Sequence, residues 1–162
     1  MAWPNKWSDW WRGFLGFSRD GRYKAIEILR QQYVEANQRA SQLRRHAQNM
    51  PYPQFREKLL RIAADESRHG DQIAEKIKLL GAPLPAVPET QFAGGNSWQS
   101  LLADLEEQRR SAAELWEQLR RVRPEFPEIA EVLQRVYENG KKHRSEITDM
   151  LMRSDPQAFS AS

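Results

Sequence analysis

The stretch Ala63-Ala64-Asp65-Glu66-Ser67-Arg68-His69 decides the fold, because it sets a carboxylate and an imidazole where a hydrocarbon face is due. The apolar positions around it run Phe55, Leu59 and Ile62, then Ile73, Ile77 and Leu80. Continuing the three-four spacing from Ile62 lands on Glu66 and His69. Residues three apart share a helix face, so both side chains are expected to point inward. A buried charge without a partner costs several kcal/mol, roughly, and such groups are paired or bound to metal.

Working outward, the chain reads as four long amphipathic segments. The first, about residues 22–49, carries Ile26, Leu29, Tyr33, Ala36, Ala40, Leu43 and Ala47 at helical spacing. The second, about 52–80, holds the stretch above. The third, about 97–122, has Leu101, Leu105, Gln108, Ala112, Leu115 and Leu119, with Ser97 as expected N-cap. The fourth, about 126–152, has Ile129, Leu133, Val136, Gly140, His143 and Ile147. Periods this regular predict helix and leave little room for strand.

The connections set the topology. Met50-Pro51-Tyr52-Pro53 and Arg123-Pro124-Glu125-Phe126-Pro127 are short breaks that predict tight antiparallel hairpins. Residues 81–96 are different, with Pro83, Pro85, Pro88, Gly94 and Gly95 and no periodic pattern. Extended, that linker spans roughly 50 Å, longer than a helix of about 27 residues at roughly 40 Å. It can therefore cross the whole bundle. Short, long, short connections predict an all-α, up-down-down-up four-helix bundle with one long crossover between the second and third helices.

An internal repeat agrees. A shift of 74 residues superposes Pro53 on Pro127, Leu59 on Leu133, Arg61 on Arg135, Glu66 on Gly140 and His69 on His143. The first and third helices match at a shift of 75, which sets Tyr33 on Gln108. Two homologous hairpins about a pseudo-twofold axis account for both shifts.

On these residues the sequence resembles the ferritin-like superfamily, most closely its rubrerythrin-type branch, over about residues 22–152. The resemblance implies a Glu on the first and third helices and Glu-x-x-His on the second and fourth, together holding two iron or manganese ions. The corresponding positions here are Tyr33, Glu66, His69, Gln108, Gly140 and His143; Glu66, His69 and His143 keep the ligand type. The expected site is therefore an incomplete di-iron-type centre that holds at most one Fe, Mn or Zn ion through those three residues. Tyr33 and Gln108 are expected as weak ligands or hydrogen-bonding partners of the ligands. Glu107 is a second-choice ligand if the third helix bulges. At Gly140 the expected explanation is size compensation, the Tyr33 ring filling the space that the glycine leaves. His46 reads as surface.

Ferroxidase or iron-storage activity of the usual kind is not expected, since three of the four carboxylates are replaced. The alternative is a metal-free structural or interaction module in which the polar residues form a hydrogen-bonded network. Whether the chain is an enzyme stays open at this point.

Composition narrows the remaining classes. With no cysteine, disulfides and thiolate chemistry are excluded. Lys and Arg number 25 against 22 Asp and Glu, a net charge of +3 carried by dispersed pairs such as Arg44-Arg45 and Arg120-Arg121. Nucleic acid is therefore not an expected partner. No apolar run reaches the length of a membrane span, and a cytoplasmic location is expected.

The first 19 residues read as a Trp-rich arm, residues 20–153 as the bundle and residues 154–162 as a disordered tail. Trp3, Trp7, Trp10, Trp11 and Phe14 fall mostly on one face of the arm. They are expected to dock on the bundle or on a second subunit of a homodimer, with peripheral contact to a membrane as the other reading.

Overall fold

A computed structural model of the chain describes residues 19–91 and 95–154. The aromatic arm with Trp3, Trp7, Trp10, Trp11 and Phe14, and the tail beyond residue 154, lie outside the described residues. Four helices build the fold: α1 Arg19–Gln48, α2 Pro53–Leu79, α3 Ser97–Val122 and α4 Pro127–Arg153.

Their ends follow local chemistry. Proline opens α2 and α4, where its fixed φ suits the first turn and its missing N–H would have gone unpaired anyway. The N-cap of α3 is Asn96, one residue before the expected Ser97. Asn96 accepts from the Gln99 N–H at 2.9 Å, and Gln99 Oε1 accepts from the Asn96 N–H at 3.0 Å. Asparagine with glutamine three residues on completes this reciprocal cap; from Ser97 the third residue is Ser100, too short to reach back. At the end of α2, Gly81 has φ of +72°, and Ala82 and Gly81 donate to the carbonyls of Ile77 and Lys78. That paired closure needs a left-handed residue, which glycine adopts at little cost.

Pairings between helices fix their directions. Along α1 and α2, Arg22 meets Leu80 while Arg39 meets Glu66. Along α1 and α3, Gln31 meets Glu114, Glu35 meets Ser111 and Gln42 meets Asp104. Along α2 and α4, Lys58 meets Asp149, Arg61 meets Glu146, and His69 meets Asn139. Numbers rise on one helix as they fall on the other in all three pairs. The order is therefore up, down, down, up, and residues 80–96 make the crossover. Gln38 holds that crossover against α1 through the Pro88 carbonyl at 3.1 Å.

Two apolar clusters fill the interior. One contains Leu29, Ile73, Ile77, Leu119, Ile129 and Leu133. The other, towards the opposite end, contains Leu43, Leu59, Ile62, Leu101, Leu105 and Ile147. Between them lies a buried polar layer with Arg39, Glu66, His69, Gln108, Ser111 and His143.

The α1–α3 seam is polar along much of its length. Gln32 donates to Gln118 Oε1 at 2.8 Å, and Gln118 donates to Gln31 at 3.0 Å. Gln42 and His46 Nδ1 each lie 2.8 Å from a different oxygen of Asp104. His46 is thus buried, not at the surface as its place near a helix end suggested, because the antiparallel partner brings Asp104 to it.

Gly70 on α2 faces the Asn37 side chain of α1. A Cβ built there would stand 2.8 Å from Asn37 Nδ2, which itself donates to the Tyr33 carbonyl at 2.8 Å. Gly70→Ala is expected to destabilise by about 1 kcal/mol, the overpacking against Asn37 outweighing the helix propensity gained; chemical denaturation measures it, and an unchanged midpoint would mean that the Asn37 amide gives up the Tyr33 carbonyl and turns aside.

Candidate metal centre

Glu66 organises the middle layer. It projects from α2 inside the ring of four helices and is 2% exposed. Both of its oxygens are engaged. Oε2 accepts from Nε and Nη2 of Arg39, each at 3.2 Å. Oε1 accepts from Gln108 Nε2 at 3.1 Å and lies 3.3 Å from His143 Nδ1. Burial alone would push the Glu66 carboxyl up, but the Arg39 charge, with help from His143 and His69, holds it well below the usual carboxylate range.

The histidines fill the space between α2 and α4. His143, 2% exposed, faces Glu66 with one ring nitrogen and Asp65 Oδ2, at 3.3 Å, with the other. His69, 3% exposed, has Asn139 Nδ2 at 3.0 Å from its Nε2. Its Nδ1 stands 3.7 Å from Glu66 Oε2, and this buried atom has no hydrogen-bond partner. The two imidazole centroids are 6.1 Å apart.

Sequence reasoning missed Arg39. It is 6% exposed, and besides Glu66 it meets Ser111 Oγ at 2.7 Å and Glu35 Oε2 at 3.5 Å. Ser111 in turn donates to the same Glu35 oxygen at 3.0 Å. A usable signal was present: Gln32, Glu35, Arg39, Gln42 and His46 recur at three-four spacing, a second stripe beside the apolar one.

The other expected contributors sit as follows. Gln108 is buried and hydrogen-bonds Glu66. Tyr33 packs its ring on the apolar cluster that holds Ile73 and Ile77. It does not fill the space beside Gly140: a Cβ there would meet Arg144 Nη1 at 3.3 Å and Gln108 Oε1 at 4.0 Å, and nothing nearer. The size-compensation idea is therefore corrected; Arg39, not Tyr33, is the α1 residue that reaches Glu66. Glu107 pairs with Arg110 at 2.8 Å on unbroken α3, and that hydrogen bond holds its carboxyl below the ordinary value. With only the far end of Arg144 in the way, Gly140→Ala is expected to raise stability by up to about 1 kcal/mol through helix propensity. A lower melting midpoint for that variant would show that Arg144 is held fast.

The residues present do not suit the pair of ions implied by the resemblance. A carboxylate offers about four lone-pair directions, and Glu66 already uses four. A divalent ion about 4 Å from a guanidinium meets repulsion of roughly 8 kcal/mol at an effective dielectric of 20. Among the described residues, no group of three or more His, Asp and Glu side chains stands in metal-holding geometry.

Helix order, crossover and mid-bundle polar layer together define a ferritin-like four-helix bundle. Comparison with solved structures agrees. The chain is similar to a Desulfovibrio desulfuricans bacterioferritin, whose structure describes a diiron site in different catalytic states; the TM-score is 0.74 at 21% identity, covering 82% of this chain and 81% of that one. No protein-family model matches the chain, and comparison with curated proteins gives no match. Among the described residues, no helix is long and apolar enough to cross a membrane.

Proposed function

We propose that the chain is a ferritin-like structural or interaction module whose central layer is neutralised by its own arginine and needs no metal. The observation that carries this reading is the Arg39 guanidinium, with Nε and Nη2 both on Glu66 Oε2. It supplies, covalently attached and always charged, the positive charge that a carboxylate at mid-bundle requires. Gln108 and His143 meet the other oxygen of Glu66, and Ser111 accepts from Nη1 of Arg39. On this reading the module has neither ferroxidase nor iron-storage activity of the usual kind. It works in the cytoplasm as a homodimer, and Trp3, Trp7, Trp10, Trp11 and Phe14 supply the contact to a partner subunit or a membrane surface.

A second reading, one Fe, Mn or Zn ion on Glu66, His69 and His143, draws on the unpartnered His69 Nδ1. It requires Arg39 to leave Glu66 and the Asn139 amide to turn over, so that Nδ1 presents a lone pair.

Metal analysis separates the two. Protein purified without chelators, and again after supplementation with Fe(II), Mn(II) and Zn(II), is expected to carry no stoichiometric ion. One ion per chain that disappears in both Glu66→Ala and His143→Ala would overturn the metal-free reading.

A further inference from the structure

We infer that the aromatic arm, residues 1–18, docks back on its own bundle in a groove that follows α1 and α3 from the first turn of α1 to the crossover. The inference goes beyond the reading above: a partner subunit or a membrane surface that takes these aromatics must first lift them from the groove.

Two adjoining depressions make the groove, and they share Tyr23, Glu27, Ile28 and Arg121. The smaller, about 380 Å³, lies at the start of α1 beside Gly21, and its lining includes the buried side chains of Ala25, Val122 and Phe126. The larger, about 910 Å³, continues past Val34 and Gln38 to Pro85 of the crossover. Volumes of this order receive large, mostly apolar groups. Tyr23 stands where the two depressions meet and is 65% exposed. Ile28 beside it is only partly buried against the apolar cluster beneath.

The occupant follows from where the arm joins the groove. Helix α1 begins at Arg19, so the arm is attached beside Gly21, at the near end. From Gly21 to Gln38 the groove follows α1 for about 26 Å. The arm would measure about 27 Å even wound as a helix and up to about 60 Å extended, enough to cover most of that length once reversed. Gly13 and Gly16, close to the junction with α1, suit the reversal. Trp3, Trp7, Trp10, Trp11 and Phe14 form an apolar surface that needs cover from water. Tyr23, Ile28 and Val34 offer them apolar and aromatic contact, and Pro85 offers a ring of the kind on which aromatic side chains pack. Charge agrees: the lining carries Glu27, Glu35, Glu114 and Glu117 against Arg30 and Arg121, and the arm carries Lys6 and Arg12 against Asp9. The tether decides for the chain's own arm, because a segment attached at the end of the groove meets it at an effective concentration that a second copy in dilute solution does not reach.

The test is limited trypsin digestion of the native full-length chain, with initial rates of cleavage after Lys6 and Arg12, both in the arm, read by mass spectrometry. Tyr23→Asp puts a charge in the groove at an exposed position near the start of α1, where a carboxylate suits the helix. The bundle of that variant therefore stays folded, which circular dichroism checks. Cleavage at the two sites is expected to be about tenfold faster in Tyr23→Asp than in wild type, because proteolysis tracks the fraction of arm that is undocked. Leu60→Asp changes an apolar side chain 46% exposed on α2, outside the groove, and is expected to keep the wild-type rate. Protection of the wild type is expected to be the same at every protein concentration. Equal rates in wild type and Tyr23→Asp overturn the inference. Protection lost equally in Leu60→Asp overturns it too, as does protection that fades on dilution, which would put the arm of a second copy in the groove.

Discussion

Arg39→Met is expected to cost about 3–5 kcal/mol of folding stability, the usual penalty for leaving one member of a buried ion pair without its partner. Methionine keeps much of the volume and the apolar stem, so the loss is one of charge and hydrogen bonds rather than packing. Glu66 would retain Gln108 and His143, and Glu35 would retain Gln31 at 3.0 Å, Ser111 at 3.0 Å and the Arg110 guanidinium at 3.9 Å. Nothing there gives Glu66 back a full positive charge in a layer this closed. The companion variant Arg39→Met/Glu66→Gln removes the charge of both partners and is expected to recover most of the loss, since a neutral buried pair is cheaper than a lone ion. Urea denaturation of the two single variants and the double one measures the coupling. Additive losses would show that Arg39 and Glu66 do not act as a unit.

Glu66→Gln gives the second large effect, and it depends on pH. Near neutrality the substitution is expected to cost about 3 kcal/mol, because Arg39 loses its main counter-charge while staying buried. The sign of the pH dependence follows from the depressed carboxyl of Glu66 in the folded chain. Unfolded, a glutamate takes up a proton near pH 4.3, roughly; folded, Glu66 holds off protonation until the solution is more acid. Its contribution is therefore fully present above that pH and is lost as the pH falls through the folded-state value. The wild type should show a steep acid-side decline, while the glutamine variant, with no proton to take up there, declines less. Stability measured from pH 7 downward should bring the two curves together. Curves that stay parallel would mean that Glu66 titrates as it does in water.

Most of the architecture was legible because it depends on features local in sequence. Prolines at the hairpins, a linker longer than a helix, and an apolar stripe interrupted at Glu66 and His69 are enough to order four helices and to place their inward faces. The polar layer was legible in part. Glu66, His69, Gln108 and His143 follow from spacing along single helices, and they are buried as that spacing implies. Arg39 did not follow, because an arginine on an amphipathic helix reads as a solvated head on an apolar stem. Only the antiparallel alignment of α1 with α3 brings Ser111 and Asp104 to Arg39 and His46, and that alignment joins residues more than fifty positions apart. Tyr33 fails for a related reason. Counting from the repeat sets it level with Glu66, whereas the packed helices give that place to Arg39 and leave the tyrosine against hydrocarbon.

The seam between α1 and α3 has a mechanical consequence. Two greasy helices can slide along one another and trade one set of contacts for another of similar quality. Here Gln32, Arg39 and Gln42 each meet one matching acceptor on the opposite helix, at Gln118, Ser111 and Asp104. Displacement by a single turn, about 5.4 Å, would unseat all three at once, and each stranded group costs about 1–3 kcal/mol. The row behaves like the teeth of a key, admitting one stagger of the helices and rejecting its neighbours.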